Sequence, residues 1–354
     1  MREADSTTNS PDIQEYLDGP GNSGYLQRIP EDLATRVNDL ACLGKYLIDP
    51  IALLSVGAGN GEELQAFYQM YGSSVQQLIG IDISQRALDL AGSRLAGNPH
   101  VSLILGDAVS VPLGDESVDG IVLSSLLHEV YSYSVDGKEG WNSAVREAAR
   151  LLRENGCMLI RDSQAPNLTG EIQIQLRTIL AQDFYEYFIK CFRSFNGWDA
   201  SGGKMPIPTR IKDFPPSDSS HAITLPIGQA SELLLHFANF LMGYPSEYKV
   251  MGDKYWKELN EIYYIPTNTD PLQPMSSDEY AVEVIAQADL MLADTKFRLV
   301  CLEQVASPRP RMRTPIMEHF YLALPGSEMS PETSAGLVNN FGNKMDIVFK
   351  KVKK

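Results

Sequence analysis

Three glycines at alternate positions, Gly57, Gly59 and Gly61, are the residues of this chain that point most directly to ligand binding. They follow the apolar run 53–56, which is typical of a parallel strand, and precede a helical pattern that begins at Glu62. Glycine permits positive φ angles and a close approach of the backbone to a ligand, and the first turn of a helix offers free N–H groups. The motif therefore predicts a binding turn for a nucleotide-like cofactor.

The spacing of these glycines differs from that of a dinucleotide-binding turn. That turn places its third glycine three residues after the second, and this position holds Glu62. A carboxylate there disfavours a pyrophosphate, whereas a ligand with an ammonium group beside its carboxylate and no phosphate suits the turn better. Tight strand-to-helix turns also use glycine for steric reasons alone, so the motif needs support from elsewhere in the chain.

Two acids occupy the positions where such a ligand needs them. Asp82 ends the predicted strand 77–82, where a carboxylate accepts hydrogen bonds from both hydroxyls of a ribose. Asp107 ends the predicted strand 101–107 and can accept from an exocyclic adenine amine. Each acid also has a structural interpretation, Asp82 as a helix cap and Asp107 as a turn residue. Three such signals at the ends of successive strands favour the cofactor.

The segments that carry these residues alternate between strand and helix patterns up to residue 160, which is typical of a doubly wound parallel sheet. In their order they resemble the class I S-adenosylmethionine-dependent methyltransferases, in particular a small-molecule branch of the type-11 kind. Residues 117–125 resemble the fourth strand of that family, and 144–160 resemble its next helix, turn and fifth strand. The resemblance covers residues 50–162, is specific for the cofactor and says little about the methyl acceptor.

The resemblance implies an α/β fold and a division of the chain. The fold is a doubly wound, Rossmann-like methyltransferase sheet, parallel with an antiparallel final hairpin, plus a helical insertion. We place the hairpin in 297–303 and 317–324. The expected division is an N-terminal arm and lid helix (1–48), an S-adenosylmethionine-binding core (49–162), a mainly helical insertion that caps the acceptor site (163–276), the end of the sheet (277–325) and a C-terminal tail (326–354).

The same resemblance implies that S-adenosyl-L-methionine is held at the carboxyl ends of the first four strands. The expected cofactor-binding residues are Gly57, Ala58, Gly59, Gly61, Asp82, Ile83, Asp107, Ala108 and Ser124.

The methyl transfer itself needs few dedicated groups. The sulfonium activates its own methyl group, so the protein has to hold the acceptor lone pair in line and exclude water. A hydroxyl acceptor benefits from a general base. His128, with Glu129 beside it, lies just past the fourth predicted strand and is the candidate base. The alternative is that His128 only shapes the cofactor pocket.

Three residues near the same edge are candidates for substrate binding. Arg161 and Asp162 end the fifth predicted strand and can bind a polar acceptor through charge-assisted hydrogen bonds. A pair of these two residues that only holds the loop is an equal alternative. Tyr131 either lines the acceptor cavity or stacks on the cofactor.

The other histidines considered lie beyond the core. His221 and His236 in the insertion are the next candidate bases after His128. His236 lies in the apolar run 233–237, and His319 lies in a predicted apolar strand, so both are interpreted as core histidines.

Composition narrows the class of protein further. The 354 residues exceed a minimal methyltransferase domain, and 44% apolar content suffices for a large core. The N-terminus is polar and acidic, and no apolar run reaches membrane length, so we expect a cytoplasmic protein. Four cysteines show no paired spacing and predict neither a metal site nor a disulfide framework: Cys42, Cys157, Cys191 and Cys301.

The net charge of −15 disfavours a long nucleic acid as the methyl acceptor. Basic residues gather at 308–313 and 344–354, which we interpret as a solvated loop and tail. The Asp-Pro-Pro-Tyr motif of enzymes that methylate base amines is missing after the fourth strand. We therefore predict O- or N-methylation of a small molecule, for example in secondary metabolism. Two alternatives stay open: an RNA or tRNA methyltransferase that uses the basic clusters, and a non-catalytic module that binds S-adenosylmethionine.

Overall fold

The structure is a computed structural model that describes residues 33–134, 137–191, 222–243, 262–269, 273–305 and 310–354. The predictions made for His221, for Arg309 and for the arm before residue 33 lie outside this part of the chain. The chain divides into two compact units. Unit 1 contains Met1–Asp162, Ala281–Glu303 and Asp346–Lys354, and unit 2 contains Ser163–Tyr280 and Gln304–Met345.

The described residues form strands and helices that we number in chain order. The strands are β1 (Ile51–Val56), β2 (Val75–Asp82), β3 (Val101–Leu105), β4 (Val118–Ser124), β5 (Leu152–Ser163), β6 (Glu171–Leu176), β7 (Ile223–Pro226), β8 (Thr295–Val305), β9 (Phe320–Ala323) and β10 (Lys344–Lys353). The helices are α1 (Leu33–Gly44), α2 (Glu62–Tyr71), α3 (Gln85–Arg94), α4 (Leu127–Tyr133), α5 (Gly137–Leu151), α6 (Ile179–Cys191), α7 (Ile227–Gly243), α8 (Ser277–Asp289), α9 (Pro310–His319) and α10 (Pro331–Val338).

Unit 1 is built on a sheet that, in the described part of the chain, has seven strands in the order β3, β2, β1, β4, β5, β10 and β8. The five strands from β3 to β5 in this order pair in parallel. Every residue of β1 is buried, as expected for a central parallel strand covered on both faces. Leu40 of α1 and Phe67 of α2 belong to one apolar cluster with Leu53 and Leu159 of the sheet. The predicted doubly wound α/β fold is confirmed.

The last strands of this sheet differ from the prediction. The strand predicted at 297–303 lies within β8, but 317–324 does not pair with it. Residues 317–319 end α9, and β9 belongs to the sheet of unit 2. The strand next to β8 is β10, which lies in the segment predicted as a tail. The lysines of β10 give it the pattern of a solvated tail, and a local pattern does not specify which neighbour a strand pairs with.

The predicted solvated lysine tail is therefore a strand of the sheet. Lys351 is only 2% exposed, and its Nζ donates to the carbonyl oxygens of Leu152 (2.7 Å) and Ala149 (3.4 Å) and to Glu116 Oε1 (3.0 Å). An ammonium group has three donors, and these acceptors satisfy all of them. Burial of this lysine thus depends on partners that are about 200 residues away in the sequence.

Unit 2 contains a three-stranded sheet in the order β7, β6 and β9, with antiparallel pairing. Phe237 of α7 packs edge-on against Phe184 of α6 and Phe320 of β9, at ring-centroid distances of 5.2 and 4.7 Å. The sequence predicts a helix over 171–193, and the structure instead forms β6 before α6. The alternation of Ile172 and Ile174 with glutamines has the period of a strand and explains the difference.

Two further predictions fall in unit 2. The sequence also predicts a helix over 229–241, and the structure forms it as part of α7. The prediction of a loop at 309–313 is wrong for residues 310–313, because α9 begins at Pro310. Proline is tolerated in the first turn of a helix, where its missing N–H has no intrahelical acceptor. None of the described helices has the length and apolar content that a bilayer-spanning helix needs.

We predict that Lys351→Met lowers the free energy of unfolding by about 2 kcal/mol, because the buried carbonyl oxygens of Leu152 and Ala149 lose their donor. Urea unfolding followed by circular dichroism measures the change. Lys353→Met is the matched control, since that side chain is 76% exposed, and its effect should stay within about 0.5 kcal/mol. Equal effects of the two substitutions would contradict a structural role for Lys351.

Candidate functional site

The glycine turn after β1 adopts the conformations that only glycine takes readily. The φ angles of Gly57, Gly59 and Gly61 are 71°, 52° and 79°. A Cβ atom on Gly57 would lie 2.9 Å from Leu126 Cδ1, whereas a Cβ atom on Gly59 would have no described heavy atom within 4 Å. The turn is therefore packed on one side at Gly57 and open at Gly59, as expected for a backbone surface that receives a ligand.

The loop after β2 holds this turn in place. Asp82 Oδ2 accepts a hydrogen bond from Gly59 N (2.8 Å), and Asp82 Oδ1 accepts from Ser84 N (2.9 Å). The N–H groups of Gly57 and Ala58 both donate to the carbonyl oxygen of Ile81, at 2.8 and 2.9 Å. A carboxylate oxygen accepts more than one hydrogen bond, so Asp82 can hold the turn and still bind hydroxyls. The helix cap of α3 is Ser84, whose Oγ accepts from Ala87 N.

Two carboxylates lie at the start of α2, directly after the turn. Glu62 is 2% exposed and its Oε1 lies 3.2 Å from Arg94 Nη2, while Ser55 Oγ donates to Glu63 Oε2 at 3.4 Å. Negative side chains at a helix N-terminus complement the helix dipole. They leave little favourable potential for a phosphate, which agrees with the interpretation of Glu62 from the sequence. The hydrogen bond between Ser55 and Glu63 was not predicted from the sequence.

The ends of β3 and β4 carry the remaining predicted cofactor ligands. Asp107 Oδ1 accepts from Val109 N at 3.1 Å, as its interpretation as a turn residue predicts, and its role as a cofactor ligand stays a prediction. Ala108 is buried and Ile83 is half-buried. Ser124 Oγ is buried and has no hydrogen-bond partner among the described residues. Buried hydroxyls are rarely left unpaired, so this one fits a site that binds a polar ligand.

The structure joins two predicted site residues into one pair. His128 Nδ1 lies 2.6 Å from Asp162 Oδ1, and the residues are 3% and 1% exposed. His128 is on α4, just after β4, and Asp162 is near the end of the neighbouring strand β5. A carboxylate that accepts from Nδ1–H fixes the tautomer in which Nε2 carries the lone pair. In the neutral ring this pairing leaves the lone pair on Nε2, which is the arrangement that the predicted general base requires.

The backbone between β4 and α4 is constrained by β5, the strand that pairs with β4. Ser125 adopts a φ of 52° and donates its N–H to the carbonyl oxygen of Arg161 at 2.7 Å. A positive φ at a residue other than glycine costs free energy and is kept where the surroundings impose it. Glu129 follows His128 on α4 and is half-buried, and Tyr131 is 5% exposed on the same helix. Their predicted catalytic and substrate-binding roles stay predictions.

Arg161 pairs with Asp39 rather than with Asp162. Its Nε lies 3.0 Å from Asp39 Oδ2 and 3.7 Å from Asp346 Oδ1, and all three side chains are buried. Arg161 continues the face of β5 that carries Leu159, because side chains alternate along a strand. Burial and the hydrogen bond to Asp39 raise the pKa of Asp346 to about 8, and Arg161 opposes this rise.

The two described histidines of unit 2 are packed among aromatic rings. His236 is fully buried, its Nε2 lies 3.6 Å from Glu232 Oε2, and its ring lies 4.9 Å from that of Tyr263. His319 Nδ1 lies 2.7 Å from Thr178 Oγ1, and burial lowers the pKa of His319. Both environments agree with the interpretation as core histidines, although His319 ends a helix and does not lie in a strand.

The parallel strand order, the left-handed glycine turn and the acid after β2 define a class I S-adenosylmethionine-dependent methyltransferase domain, whose cofactor is S-adenosylmethionine. A family model described as a methyltransferase domain matches residues 54–160. The family resemblance found in the sequence is thereby confirmed for this domain.

Curated relatives match the same part of the chain. The uncharacterized methyltransferase YcgJ of Bacillus subtilis is 30% identical over 138 residues, which are 38% of this chain and 48% of YcgJ. A demethylmenaquinone methyltransferase of Staphylococcus aureus is 29% identical over 115 residues, which are 32% of this chain and 44% of that protein. The chain thus spans about half the length of the curated relatives it matches. The crystal structure of YcgJ superimposes with a TM-score of 0.43 at 16% identity, covering 90% of this chain and 99% of that one.

We predict that Asp82→Ala weakens the binding of S-adenosylmethionine and S-adenosylhomocysteine roughly 10- to 100-fold, because charge-assisted hydrogen bonds are lost and the glycine turn loses its anchor. Isothermal titration calorimetry measures both ligands. Asp89→Ala on the exposed side of α3 is the matched control and should bind like the wild type. Unchanged binding in Asp82→Ala would show that Asp82 does not contribute to cofactor binding.

A second prediction concerns Asp346, which faces Asp39, Arg161 and Glu303. Its pKa in the folded state, about 8, lies above that of an unfolded aspartate, so the unfolded state binds fewer protons between about pH 4 and pH 8. The free energy of unfolding of the wild type should therefore fall with rising pH across this window, relative to Asp346→Asn. Urea unfolding at several pH values checks this. The exposed Asp115→Asn serves as control, and parallel curves for wild type and Asp346→Asn would contradict the prediction.

Proposed function

We propose that this protein is an S-adenosylmethionine-dependent methyltransferase that transfers a methyl group to an oxygen or nitrogen atom of a small molecule. The observation that carries this proposal is the buried His128–Asp162 pair at the ends of β4 and β5. The strand next to β4 is β1, which leads into the glycine turn. A candidate base thus lies one strand away from the turn that we propose for the cofactor.

We propose that the cofactor is held by the residues predicted from the sequence at the ends of β1 to β4. Asp82 would accept from the ribose hydroxyls, Asp107 from the adenine amine, and the backbone of Gly57, Gly59 and Gly61 would lie against the ligand. The buried hydroxyl of Ser124 would gain a partner there. When bound, S-adenosylmethionine supplies a methyl group that its sulfonium already activates.

His128 and Asp162 supply the proton chemistry in this proposal. Asp162 accepts the hydrogen bond from Nδ1–H, so Nε2 is the ring nitrogen that would take the proton of an acceptor hydroxyl or ammonium group. The imidazolium that forms is stabilised by the carboxylate 2.6 Å away. Because both side chains are more than nine-tenths buried, water competes poorly for either group.

Charge and relatedness support a small acceptor over RNA. The net charge is −15, and Lys351 and Lys354 of the basic C-terminal segment bond to backbone carbonyl oxygens. These lysines therefore do not form the free phosphate-binding cluster on which the RNA alternative depends. One relative, the demethylmenaquinone methyltransferase, is named for a small-molecule acceptor. We further propose that residues 163–276 select the acceptor, since this segment continues from the end of β5, the strand that carries Asp162.

We predict that His128→Ala lowers kcat/KM for the acceptor about 10²- to 10⁴-fold, with S-adenosylmethionine binding unchanged, because the base is removed and the cofactor contacts remain. Asp162→Asn should lower kcat/KM less and should also shift the pH profile, since it changes the partner of Nδ1. Transfer of labelled methyl groups into a small-molecule extract, followed by assays on the isolated acceptor, measures both effects. His100→Ala, at a half-buried histidine outside the proposed site, is the control.

Two outcomes would overturn parts of this proposal. Full activity in His128→Ala would assign His128 to pocket shape alone, and an equal loss in Glu129→Gln would move the base to Glu129. Incorporation of the labelled methyl group into RNA rather than into small molecules would show that the acceptor is RNA. Calorimetry on each variant separates loss of cofactor binding from loss of transfer.

A further inference from the structure

Unit 1 contains a second group of reactive side chains that the proposed methyl transfer does not use. Cys42 of α1 meets Cys301 and Glu303 of β8, although 259 residues separate the two cysteines. The two Sγ atoms lie 3.1 Å apart. Glu303 Oε1 lies 3.8 Å from Cys42 Sγ and 3.6 Å from Cys301 Sγ. Their candidate ligand atoms all lie within 4.8 Å of one another.

We propose that Cys42, Cys301 and Glu303 form a binding site for a thiophilic divalent cation of the zinc type. Thiolate ligands select zinc over magnesium and calcium, which prefer sites made of oxygen atoms alone. Zinc also accepts carboxylate oxygen, so this mixed set of donors suits it. The spacing of the cysteines in the sequence predicts no metal site, and only the fold brings the three side chains together.

The distances are close to those of tetrahedral coordination. With metal–sulfur distances of about 2.3 Å and metal–oxygen distances of about 2.1 Å, a tetrahedral site separates sulfur from oxygen by about 3.6 Å and the two sulfurs by about 3.8 Å. Both observed sulfur–oxygen distances, 3.8 and 3.6 Å, agree with this geometry. Only the sulfur–sulfur distance has to open, by about 0.7 Å, which small changes in side-chain torsion angles can supply.

The surroundings of the three donors provide a route for a cation. Cys42 is buried, Cys301 is half-buried and Glu303 is exposed, so the carboxylate marks the side that faces solvent. Three protein ligands leave a fourth position for water. Since β8 is at the edge of the sheet, a bound cation would link that edge strand to α1 and stabilise unit 1.

The protons and charges of the binding step balance. Without a cation both thiols are protonated at neutral pH, because burial raises the pKa of Cys42 to about 12 and also raises that of Cys301. Binding of one divalent cation replaces two thiol protons by two metal–sulfur bonds and releases both protons to solvent. Glu303 adds a third negative charge to the ligand set.

A disulfide is the competing use of the same cysteines. It would require the sulfurs to approach from 3.1 Å to about 2.05 Å and an oxidant such as a peroxide or another disulfide to accept two electrons. The carboxylate that lies within 4 Å of both sulfurs has no part in that reaction, whereas it is a ligand in the cation site. The geometry therefore favours the cation.

Equilibrium dialysis of the reduced, chelator-treated full chain against micromolar Zn²⁺ tests the proposal, with metal content measured by mass spectrometry. Co²⁺ in place of Zn²⁺ reports thiolate ligation through its charge-transfer absorption. We expect one cation per chain in the wild type and in Cys157→Ser, a buried cysteine outside the cluster. Cys42→Ser and Cys301→Ser should each weaken binding at least tenfold, and Glu303→Gln should weaken it with the thiolate absorption retained.

A second measurement uses only the wild-type protein and so does not depend on whether a variant folds. Zn²⁺ should slow the alkylation of Cys42 and Cys301 in the wild type and leave the rate at Cys157 unchanged. Absence of this protection, or equal metal content in the wild type and the serine variants, would overturn the proposal. A Cys42–Cys301 disulfide in the untreated protein, seen as the loss of two hydrogen atoms in the linked peptides, would also overturn it.

Discussion

The carboxylate of Asp82 couples the loop after β1 to the loop after β2, and the arrangement of the candidate site depends on this coupling. Three glycines with positive φ angles have many alternative conformations when unfolded, so the turn needs anchors. The N–H groups of Gly57, Ala58 and Gly59 are anchored by the end of β2, through the carbonyl oxygen of Ile81 and the side chain of Asp82. Parallel pairing of β1 with β2 brings them to the same edge. The surface offered to a ligand is therefore set by strand pairing more than by the turn itself.

The alternation of side chains along β5 separates two buried charge systems. Arg161 faces α1 and is compensated by Asp39, with Asp346 3.7 Å away, while Asp162 faces the other way and bonds to His128. A buried charge is costly unless it is paired, and each of these charges has its own partner. Because consecutive side chains of a strand point to opposite faces of the sheet, the hydrogen bond between Asp162 and His128 does not involve the guanidinium of Arg161. The pleat of one strand thus keeps a structural ion cluster apart from a pair suited to proton transfer.

The parts of this fold that the sequence predicts are those with local causes. The apolar runs of β1 and β2, the glycines between β1 and α2, and the acids at strand ends all follow from residue type and spacing. His128 and Asp162 were each predicted as site residues, but their contact arises from the adjacency of β4 and β5, which sequence position does not show. The burial of Lys351 and the meeting of Cys42 with Cys301 likewise depend on distant partners. A lysine-rich segment resembles a solvated tail until its tertiary acceptors are known.

The position of β10 in the sheet has a consequence for biosynthesis. This strand lies between β5 and β8 but is translated after both of them. When β8 has left the ribosome and β10 has not yet been translated, the sheet is incomplete. The backbone groups of β5 and β8 that later pair with β10 are then unpaired. The sheet order also requires the ribosome to finish most of unit 2 before unit 1 can close. Folding of the methyltransferase domain is consequently a late event, and a stalled or truncated chain would expose the strand edges that promote aggregation.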